Sequence, residues 1–304
     1  MLSTRSVHAI LLLIAAILWG LAFVASKWAL VAIGPFSIIA IRFFMAGPLS
    51  LLFMGKKGKG TNRHMLKLAL IASIPIFLGM AFQIVGLMFT TVAKSGFITC
   101  FYAIFTPMLE ARVKKKKFSK AYWTLVFISM LGVAMMCRFE WGEFSWGDFL
   151  TLLSAFFFAV HIVYLERILP QFPSAFAFNG LQSLFMGLWG LIMALIIGDK
   201  LDLPVLFASS LWSPGPLLGI LLLGTFVSVV AFTIQIHCQK KIPPNIVALI
   251  FLLESPFAAV FGHYFLGEVI GTMEIGGMAL IMASVALLPF SGPRVSPNRL
   301  EGIV

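Results

Sequence analysis

Ten apolar runs separated by short polar connections constrain the fold of this chain more than any other feature. With edges uncertain by a few residues, they fall at about 8–33, 35–54, 67–90, 95–110, 120–138, 148–168, 174–197, 214–238, 244–265 and 271–290. A membrane-spanning helix needs roughly 20 apolar residues. Breakers such as Gly34-Pro35 and Pro243-Pro244 lie between the runs. The pattern predicts an all-α membrane protein with ten transmembrane helices.

Composition excludes the soluble classes. Of the 304 residues, 61% are hydrophobic and 11% are charged, whereas a soluble domain averages about 45–50% apolar and about 25% charged residues. So few charges do not cover the surface of a soluble protein of this size. Ten spans use about 200 residues, so no separate soluble catalytic domain fits. The first run is long for a signal peptide, so we expect it to be retained as a span.

The basic residues predict the orientation in the membrane. The formal net charge is +11, and most Lys and Arg residues lie in the tails and loops that share a side with the N-terminus, above all Lys114 to Lys117. The opposite side carries the acidic loop with Glu140 and Glu143. By the positive-inside rule, both termini are predicted to be cytoplasmic. The placement of the bases favours membrane loops over nucleic-acid binding.

A weak internal repeat relates the two halves. Trp19-Gly20 occupies the place of Phe158-Ala159, and Thr106-Pro107 matches Ser255-Pro256. Five spans per repeat is an odd number, so the second repeat enters the membrane inverted, as in many secondary transporters. The predicted units are a first repeat at 8–138, a second repeat at 148–290 and a cytoplasmic C-terminal tail at 291–304.

Pro107 and Pro256 occupy matching spans of the two repeats. Proline has no N–H, so it frees the carbonyl four residues earlier, here that of Ala103 and that of Leu252. Broken helices at corresponding positions of two repeats point to a binding site at the membrane midplane. The pair is therefore a candidate for helix breaks and gating. The alternative is that both prolines only kink their helices.

Glu254 is the most informative ionisable residue, because it lies near the middle of the ninth run. A carboxylate at that depth costs at least ~2.5 kcal/mol on insertion scales and should face a cavity or a partner. Binding of a substrate amine, transport of a coupling proton and pairing with a base are the roles open to it.

The remaining site candidates are weaker. Lys27 and Arg42 are possible charge partners of a substrate, or they extend towards the interface. His161 is a possible proton relay or a hydrogen-bonded interior histidine. The other candidates for the cavity lining, which alternatively join helices through hydrogen bonds, are Trp19, Gln83, Tyr102 and Gln235.

No residue pattern indicates a metal, a cofactor or a catalytic site. The three cysteines (Cys100, Cys137, Cys238) lie within or at the edges of apolar runs and are typical of packing residues. The glycine- and lysine-rich loop at 55–61 lacks the Lys position of a phosphate-binding loop. Ser154 and His161 lack an oxyanion hole, so intramembrane hydrolysis is disfavoured. We expect no enzyme activity.

Several segments together resemble a known family. They are AAILWGLAFVASKWAL in the first run, GPFSIIAIRFFMA opening the second, SGFITCFYAIFTPMLEA in the fourth and, as the fullest match, LIFLLESPFAAVFGHYFLGEVIGTMEIGGMALIMASV across the ninth and tenth. They resemble the EamA-like members of the drug/metabolite transporter superfamily, over about residues 8–290. The positions that carry the motifs are Trp19, Gly20, Lys27, Arg42, Pro107, Glu254, Pro256, Gly267 and Glu268.

The resemblance implies a ten-span inner-membrane carrier for amino acids or related metabolites, often an exporter. It implies a central cavity lined mainly by spans one, three, four, six, eight and nine. We therefore expect a secondary transporter that moves a small polar or amphipathic solute by alternating access. The alternatives are a passive channel and a non-transporting scaffold or sensor. The substrate, the direction, the coupling ion and the oligomeric state stay open.

Overall fold

The chain is all-helical in the computed structural model, which describes residues 4–55, 61–87, 89–90, 92–115, 117–136, 144–208 and 213–288. The α-helices are α1 (Thr4–Leu30), α2 (Pro35–Phe53), α3 (Arg63–Leu87), α4 (Val92–Thr99), α5 (Tyr102–Lys114), α6 (Lys120–Met136), α7 (Trp146–Ile168), α8 (Ala175–Ile197), α9 (Leu203–Ala208), α10 (Pro216–Leu222), α11 (Phe232–Gln239), α12 (Pro244–Phe251), α13 (Glu254–Leu266) and α14 (Thr272–Leu287). A 3₁₀ turn, Leu169–Gln171, follows α7, and a π-helical segment, Leu223–Ala231, joins α10 to α11. Within the described residues, extended pairing is confined to a bridge between Ile33 and Leu201.

Local sequence signals set the helix ends. Helices α2, α10 and α12 begin with proline, whose missing N–H costs nothing in the first turn. Ser145 caps α7 by accepting a hydrogen bond from the Asp148 amide at 3.1 Å, and the Asp148 carboxylate accepts one from the Ser145 amide. Gly198 ends α8 in the left-handed conformation that glycine adopts without strain. These ends place the polar connections between apolar helices.

Within the part of the chain that the structure describes, seven helices are long and apolar enough to cross a membrane. They are Val7–Ala29, Pro35–Phe53, Arg63–Gly86, Trp146–Gln171, Ala175–Ile197, Pro216–Gln239 and Pro244–Leu266. The predicted run at 95–110 is divided between α4 and α5, and the runs at 120–138 and 271–290 form the shorter α6 and α14, of 17 and 16 residues. The protein is therefore a multi-pass helical membrane protein, and the count of ten spans stays a prediction.

Helices from the two halves of the chain pack against each other in pairs: α2 with α8, α3 with α7, α6 with α14 and α1 with α13. The α6–α14 pair is especially close. A Cβ atom at Gly277 would lie 2.4 Å from the Gly132 carbonyl oxygen, and Ser129 and Ser284 are hydrogen-bonded across the same contact. Small residues of this kind let two helix backbones approach in a membrane, where packing replaces the hydrophobic effect.

Two segments of the chain have matching helix lengths. Helices α4 and α12 each have 8 residues, and α5 and α13, which follow them after a short interruption, each have 13 residues. The interruptions fall at residues 100–101 and 252–253. Each segment is therefore one membrane-length helix that is broken near its middle.

Several sequence predictions fall on residues outside the described part of the chain. They are the C-terminal tail at 291–304, Cys137, the acidic residues Glu140 and Glu143, and part of the basic loop at 56–60.

Candidate functional site

The two broken helices meet at their interruptions, which we call the crossing (Cys100–Tyr102 and Leu252–Ser255). The Cys100 Sγ atom lies 3.4 Å from the Ser255 Oγ atom. The Tyr102 hydroxyl donates to Glu254 Oε1 at 3.4 Å. Tyr102 is the first residue of α5 and Glu254 the first residue of α13. The start of each second half-helix therefore faces the other inside the fold.

Short-range hydrogen bonds build both interruptions. The amides of Cys100 and Phe101 bond to carbonyls three residues earlier, each at 3.1 Å, and the Leu253 amide bonds to Ile250 at 3.1 Å. These bonds have the i→i−3 spacing of a 3₁₀ turn, which is tighter than the α-helix. In each segment, the break therefore comes before the proline at which the sequence predicted it. Pro107 lies inside α5, and Pro256 is the third residue of α13.

The carbonyl that Pro256 frees has a new partner. The Leu252 carbonyl oxygen accepts a hydrogen bond from the Ser255 amide at 3.3 Å. The interruption is thus hydrogen-bonded within the chain. Irregular backbone at membrane depth is tolerated where it is buried in protein or lines a cavity.

The broken helices run antiparallel. The Tyr122 hydroxyl, on the helix that follows α5, donates to the Asn245 carbonyl at the start of α12 at 3.1 Å. At the other end, Gly96 in α4, before its interruption, shares a cavity wall with Leu266 at the end of α13. The C-terminal ends of α5 and α13 therefore lie on opposite sides of the molecule.

Glu254 is half-buried at this crossing. As the first residue of α13, its carboxylate lies where the helix dipole favours a negative charge. Among the described residues, no Lys, Arg or His forms an ion pair with it. The Tyr102 hydroxyl is its hydrogen-bond partner. The arrangement leaves an acidic group, with one donor, near the middle of the membrane-length helix.

Trp19 connects the apolar interior of both halves to the crossing. Its ring packs edge-on against Phe251 at 4.3 Å and against Phe232 at 5.6 Å between centroids. It contacts all three clusters of buried apolar side chains. The adjacent Gly20 lies against α13, where a Cβ atom would be 2.6 Å from the Phe257 Cβ. Trp19 is thus a packing junction beside the crossing.

The other polar candidates are hydrogen-bonded to protein groups. His161 Nε2 lies 2.8 Å from Gln182 Oε1, and both side chains are buried. Gln83 donates to Thr99 at 3.1 Å and so joins α3 to α4. Gln235 donates to Gln239 at 3.0 Å within α11. These contacts correspond to the hydrogen-bonding alternative that the sequence left open for them.

The two predicted cationic partners are separate from Glu254. Lys27 Nζ lies 2.6 Å from Glu268 Oε1. Arg42 is buried, its Nε donates to Ser228 Oγ at 2.9 Å, and its guanidinium lies 4.9 Å from the centre of the Phe43 ring. Neither base forms an ion pair with Glu254. A single group formed by all three charges is therefore not present.

A cavity of about 540 Å³ opens beside the crossing, between α1, α4, α6, α13 and α14. Ser255 of the crossing contributes to its wall, and the paired Lys27 and Glu268 line it as well. The rest of its lining is mostly apolar: Phe23, Val24, Gly96, Phe97, Val133, Met136, Ala258, Ala259, Gly262, Leu266, Val269, Ile270 and Glu274. We call this space the Lys27 cavity.

A second charged group lies at the opposite end of the molecule and was not predicted from the sequence. Lys114, the last residue of α5, forms ion pairs with Glu166 on α7 and with the buried Glu110 one turn earlier at 3.4 Å. The (i, i+4) spacing of Glu110 and Lys114 was visible in the sequence. The Glu166 contact was not, because it depends on how α5 and α7 pack.

Two of the three cysteines lie in the part of the chain that the structure describes. Cys100 and Cys238 are buried free thiols. Among the residues that the structure describes, no group of three or more His, Cys, Asp and Glu side chains is arranged to hold a metal ion.

Comparisons with known proteins identify the family. The model of the EamA-like transporter family matches the chain twice, at residues 7–138 and 145–290. An uncharacterized transporter of Archaeoglobus fulgidus is 28% identical over 278 residues, which cover 91% of this chain and 84% of that protein. The uncharacterized inner membrane transporter YedA of Escherichia coli K12 is 25% identical over 285 residues, 90% of this chain and 87% of YedA.

A protein of known crystal structure shares the fold. It superposes with a TM-score of 0.73 at 17% sequence identity and covers 97% of this chain and 99% of its own. The two family matches account for nearly all of the apolar helices and for both halves of the crossing. The chain belongs to the EamA-like transporter family and is a membrane transporter.

Proposed function

We propose that this transporter is a secondary carrier in which two inverted five-span repeats alternate around a site at the crossing. The matching lengths of α4 with α12 and of α5 with α13 support the repeat. The antiparallel course of the two broken helices supports the inversion, because a repeat with an odd number of spans re-enters the membrane upside down. On this proposal, α6 and α14 are the fifth and tenth spans.

The single observation that carries the proposal is the contact between the two interruptions, with Glu254 beside it. Discontinuous helices of inverted repeats bring half-helix ends together near the membrane midplane, where they bind solutes and coupling ions. The contacts of Cys100 with Ser255 and of Tyr102 with Glu254 have this form. An acidic group that has no basic partner among the described residues suits a substrate amine or a coupling proton.

The substrate that fits this site is a small polar or amphipathic metabolite, such as an amino acid or a related compound. Glu254 and Tyr102 supply the polar contacts, and Trp19 supplies an aromatic wall. On this proposal, His161, Gln83 and Gln235 support the site through their hydrogen bonds, and Pro107 and Pro256 keep the half-helices at fixed angles. Lys27 and Arg42 act away from Glu254. Export is the direction that we expect from the family resemblance.

We further propose that the protein resides in the cell inner membrane with both termini in the cytoplasm. The excess of basic residues on one side supports this orientation. YedA, which covers 90% of this chain in its match, is named as an inner membrane transporter.

Solute counterflow in proteoliposomes tests the function. Purified protein is reconstituted with a panel of amino acids and related metabolites, and exchange of labelled solute is measured. We expect saturable counterflow for at least one compound and its loss in Glu254→Gln. The control is Asp202→Asn, which changes an acidic residue in the loop before α9. Linear, non-saturable flux would favour a channel, and the absence of flux and of binding would favour a scaffold or sensor.

A pH gradient tests the driving force. If Glu254 transports a coupling proton, an imposed gradient accelerates uptake by the unmodified protein and has no effect on Glu254→Gln. Equal rates with and without the gradient in the unmodified protein would remove proton coupling.

A further inference from the structure

Two ion pairs occupy related positions at opposite ends of the molecule, with the charges exchanged. Lys27 follows Trp19 in α1 at the same spacing at which Glu166 follows Phe158 in α7. Lys27 pairs with Glu268, just beyond the end of α13, and Glu166 pairs with Lys114, at the end of α5. Each pair therefore joins the first helix of one repeat to the broken span of the other.

We propose that these two ion pairs are opposing latches, each holding one face of the transporter closed. This inference rests on the proposed alternating-access function and names the contacts that control it. When one face opens, α1 moves away from α13 and the Lys27–Glu268 pair separates. When the other face opens, α7 moves away from α5 and the Lys114–Glu166 pair separates.

The Lys27–Glu268 latch is built from backbone as well as charge. The Glu268 amide bonds to the Gly262 carbonyl and the Gly267 amide to the His263 carbonyl, both at 3.2 Å. Gly267 is left-handed at φ 70°, so α13 ends in an αL cap, closed by the Gly267 amide, that fixes the start of the loop. The Glu268 carboxylate lies over Gly262, where a Cβ atom would be 2.4 Å from Oε2. The fold thus aims this carboxylate at α1.

The backbone at the end of α5 and a second acidic residue support the Lys114–Glu166 latch. Lys115, the residue after Lys114, is left-handed at φ 52°, and among the described residues it is alone in this respect apart from glycine. Helix α5 therefore ends, like α13, at a left-handed residue. Glu110 also contacts Lys114 from its own helix. When Glu166 moves away, Lys114 keeps a partner, so opening this face leaves no isolated cation.

The strength of the pairs suits a reversible contact. Lys27 and Glu268 keep 40% and 50% of their side-chain surface exposed, and Lys114 and Glu166 keep 37% and 30%. Exposed ion pairs contribute little individually, so either latch can open within a transport cycle. Removing one pair shifts the population towards the state in which that face is open.

Cysteine accessibility in nanodiscs tests the latches without a known substrate. In a background without native cysteines, Ala259→Cys places a thiol in the wall of the Lys27 cavity, and its reaction rate with a polar maleimide is measured. We expect Lys27→Met to raise the rate about two- to five-fold and Glu166→Gln to lower it by a similar factor. The exchanged pair Lys27→Glu with Glu268→Lys should restore the original rate.

The opposite signs distinguish latches from contacts that only stabilise the fold. Two variants that change the rate in the same direction, or an exchanged pair that fails to restore it, would overturn the inference. Thermal unfolding of each variant shows that the comparison uses folded protein. Because the assay measures conformation alone, absent counterflow with normal latch behaviour would count against the proposed function and not against the latches.

Discussion

The Tyr102 hydroxyl and the Glu254 carboxylate meet at 3.4 Å, although the two residues lie in different halves of the chain. Each is the first residue of a half-helix that follows an interruption. Their contact marks the point where the two broken helices cross, and it gives the acidic group its hydrogen-bond donor. A substitution of either residue therefore tests whether this contact contributes to transport.

Removal of the Tyr102 hydroxyl should reduce transport without unfolding the protein. Tyr102→Phe deletes the donor to Glu254 but keeps the buried ring. A hydrogen bond of this kind contributes about 0.5–1.5 kcal/mol, so we expect the counterflow rate to fall about two- to ten-fold. The matched control is Tyr264→Phe, because Tyr264 is exposed. If both substitutions changed the counterflow rate equally, the Tyr102 hydroxyl would have no specific role in the site.

The helix contact between α6 and α14 depends on glycine. Gly277→Ala places a methyl group 2.4 Å from the Gly132 carbonyl oxygen, and overpacking against backbone costs about 1–3 kcal/mol. We expect a lower unfolding temperature in detergent. The neighbouring Gly276→Ala is the control, because its Cβ would meet only the flexible end of Met135, at 3.0 Å. Unchanged stability of Gly277→Ala would show that these helices do not pack this closely.

His161 should behave as an interior hydrogen-bonding residue. Gln182→Met removes its partner at 2.8 Å and leaves a buried ring nitrogen unsatisfied, at a cost of about 1–3 kcal/mol. The double variant His161→Phe with Gln182→Met should regain part of the lost stability, because neither polar group remains. Transport by the double variant under a pH gradient distinguishes a hydrogen-bonded interior histidine from a proton relay. Loss of the gradient response alone would assign His161 to proton relay.

Gly262 should control the Glu268 carboxylate. Gly262→Ala introduces a methyl group that occupies the place of Glu268 Oε2, so the carboxylate must move away from Lys27. We expect the thiol at Ala259→Cys to react faster, in the same direction as the change expected when Lys27 is neutralised. A reaction rate equal to that of the parent protein would mean that the carboxylate adapts without losing its partner.

Hydropathy was sufficient to predict the membrane class, and seven of the predicted runs lie in described helices that are long and apolar enough to cross a membrane. The sequence also singled out the two spans that the structure shows as broken, because a proline stands out in an apolar run, and it singled out Glu254, whose role in the site stays a prediction. The positions of the interruptions were not predicted, since they depend on hydrogen bonds at Cys100 and Leu253 that precede the prolines. Proline indicates a weak point in a helix but does not fix where the axis turns.

The two ion pairs could not be predicted from the sequence for a different reason. Lys27 and Glu268 are 241 positions apart, and the apolar helices that carry them have few polar residues to show which face points inward. Their pairing depends on the rotation of α1 about its axis and on its packing against α13. The same holds for Lys114 and Glu166, whose contact was recognised only in the folded chain.

Disulfide formation across the crossing is the most direct test of the central claim that the two interruptions meet inside the membrane. Ser255→Cys is introduced into a protein that keeps Cys100 and has the other cysteines changed to alanine, and the product is oxidised and analysed by mass spectrometry. Because Cys100 Sγ and Ser255 Oγ lie 3.4 Å apart, we predict an intramolecular disulfide that stops counterflow, with recovery on reduction. The same substitution in a Cys100→Ala background should leave counterflow unaffected by oxidation. Failure to form this disulfide in folded protein, or a disulfide that leaves counterflow unchanged, would contradict the account.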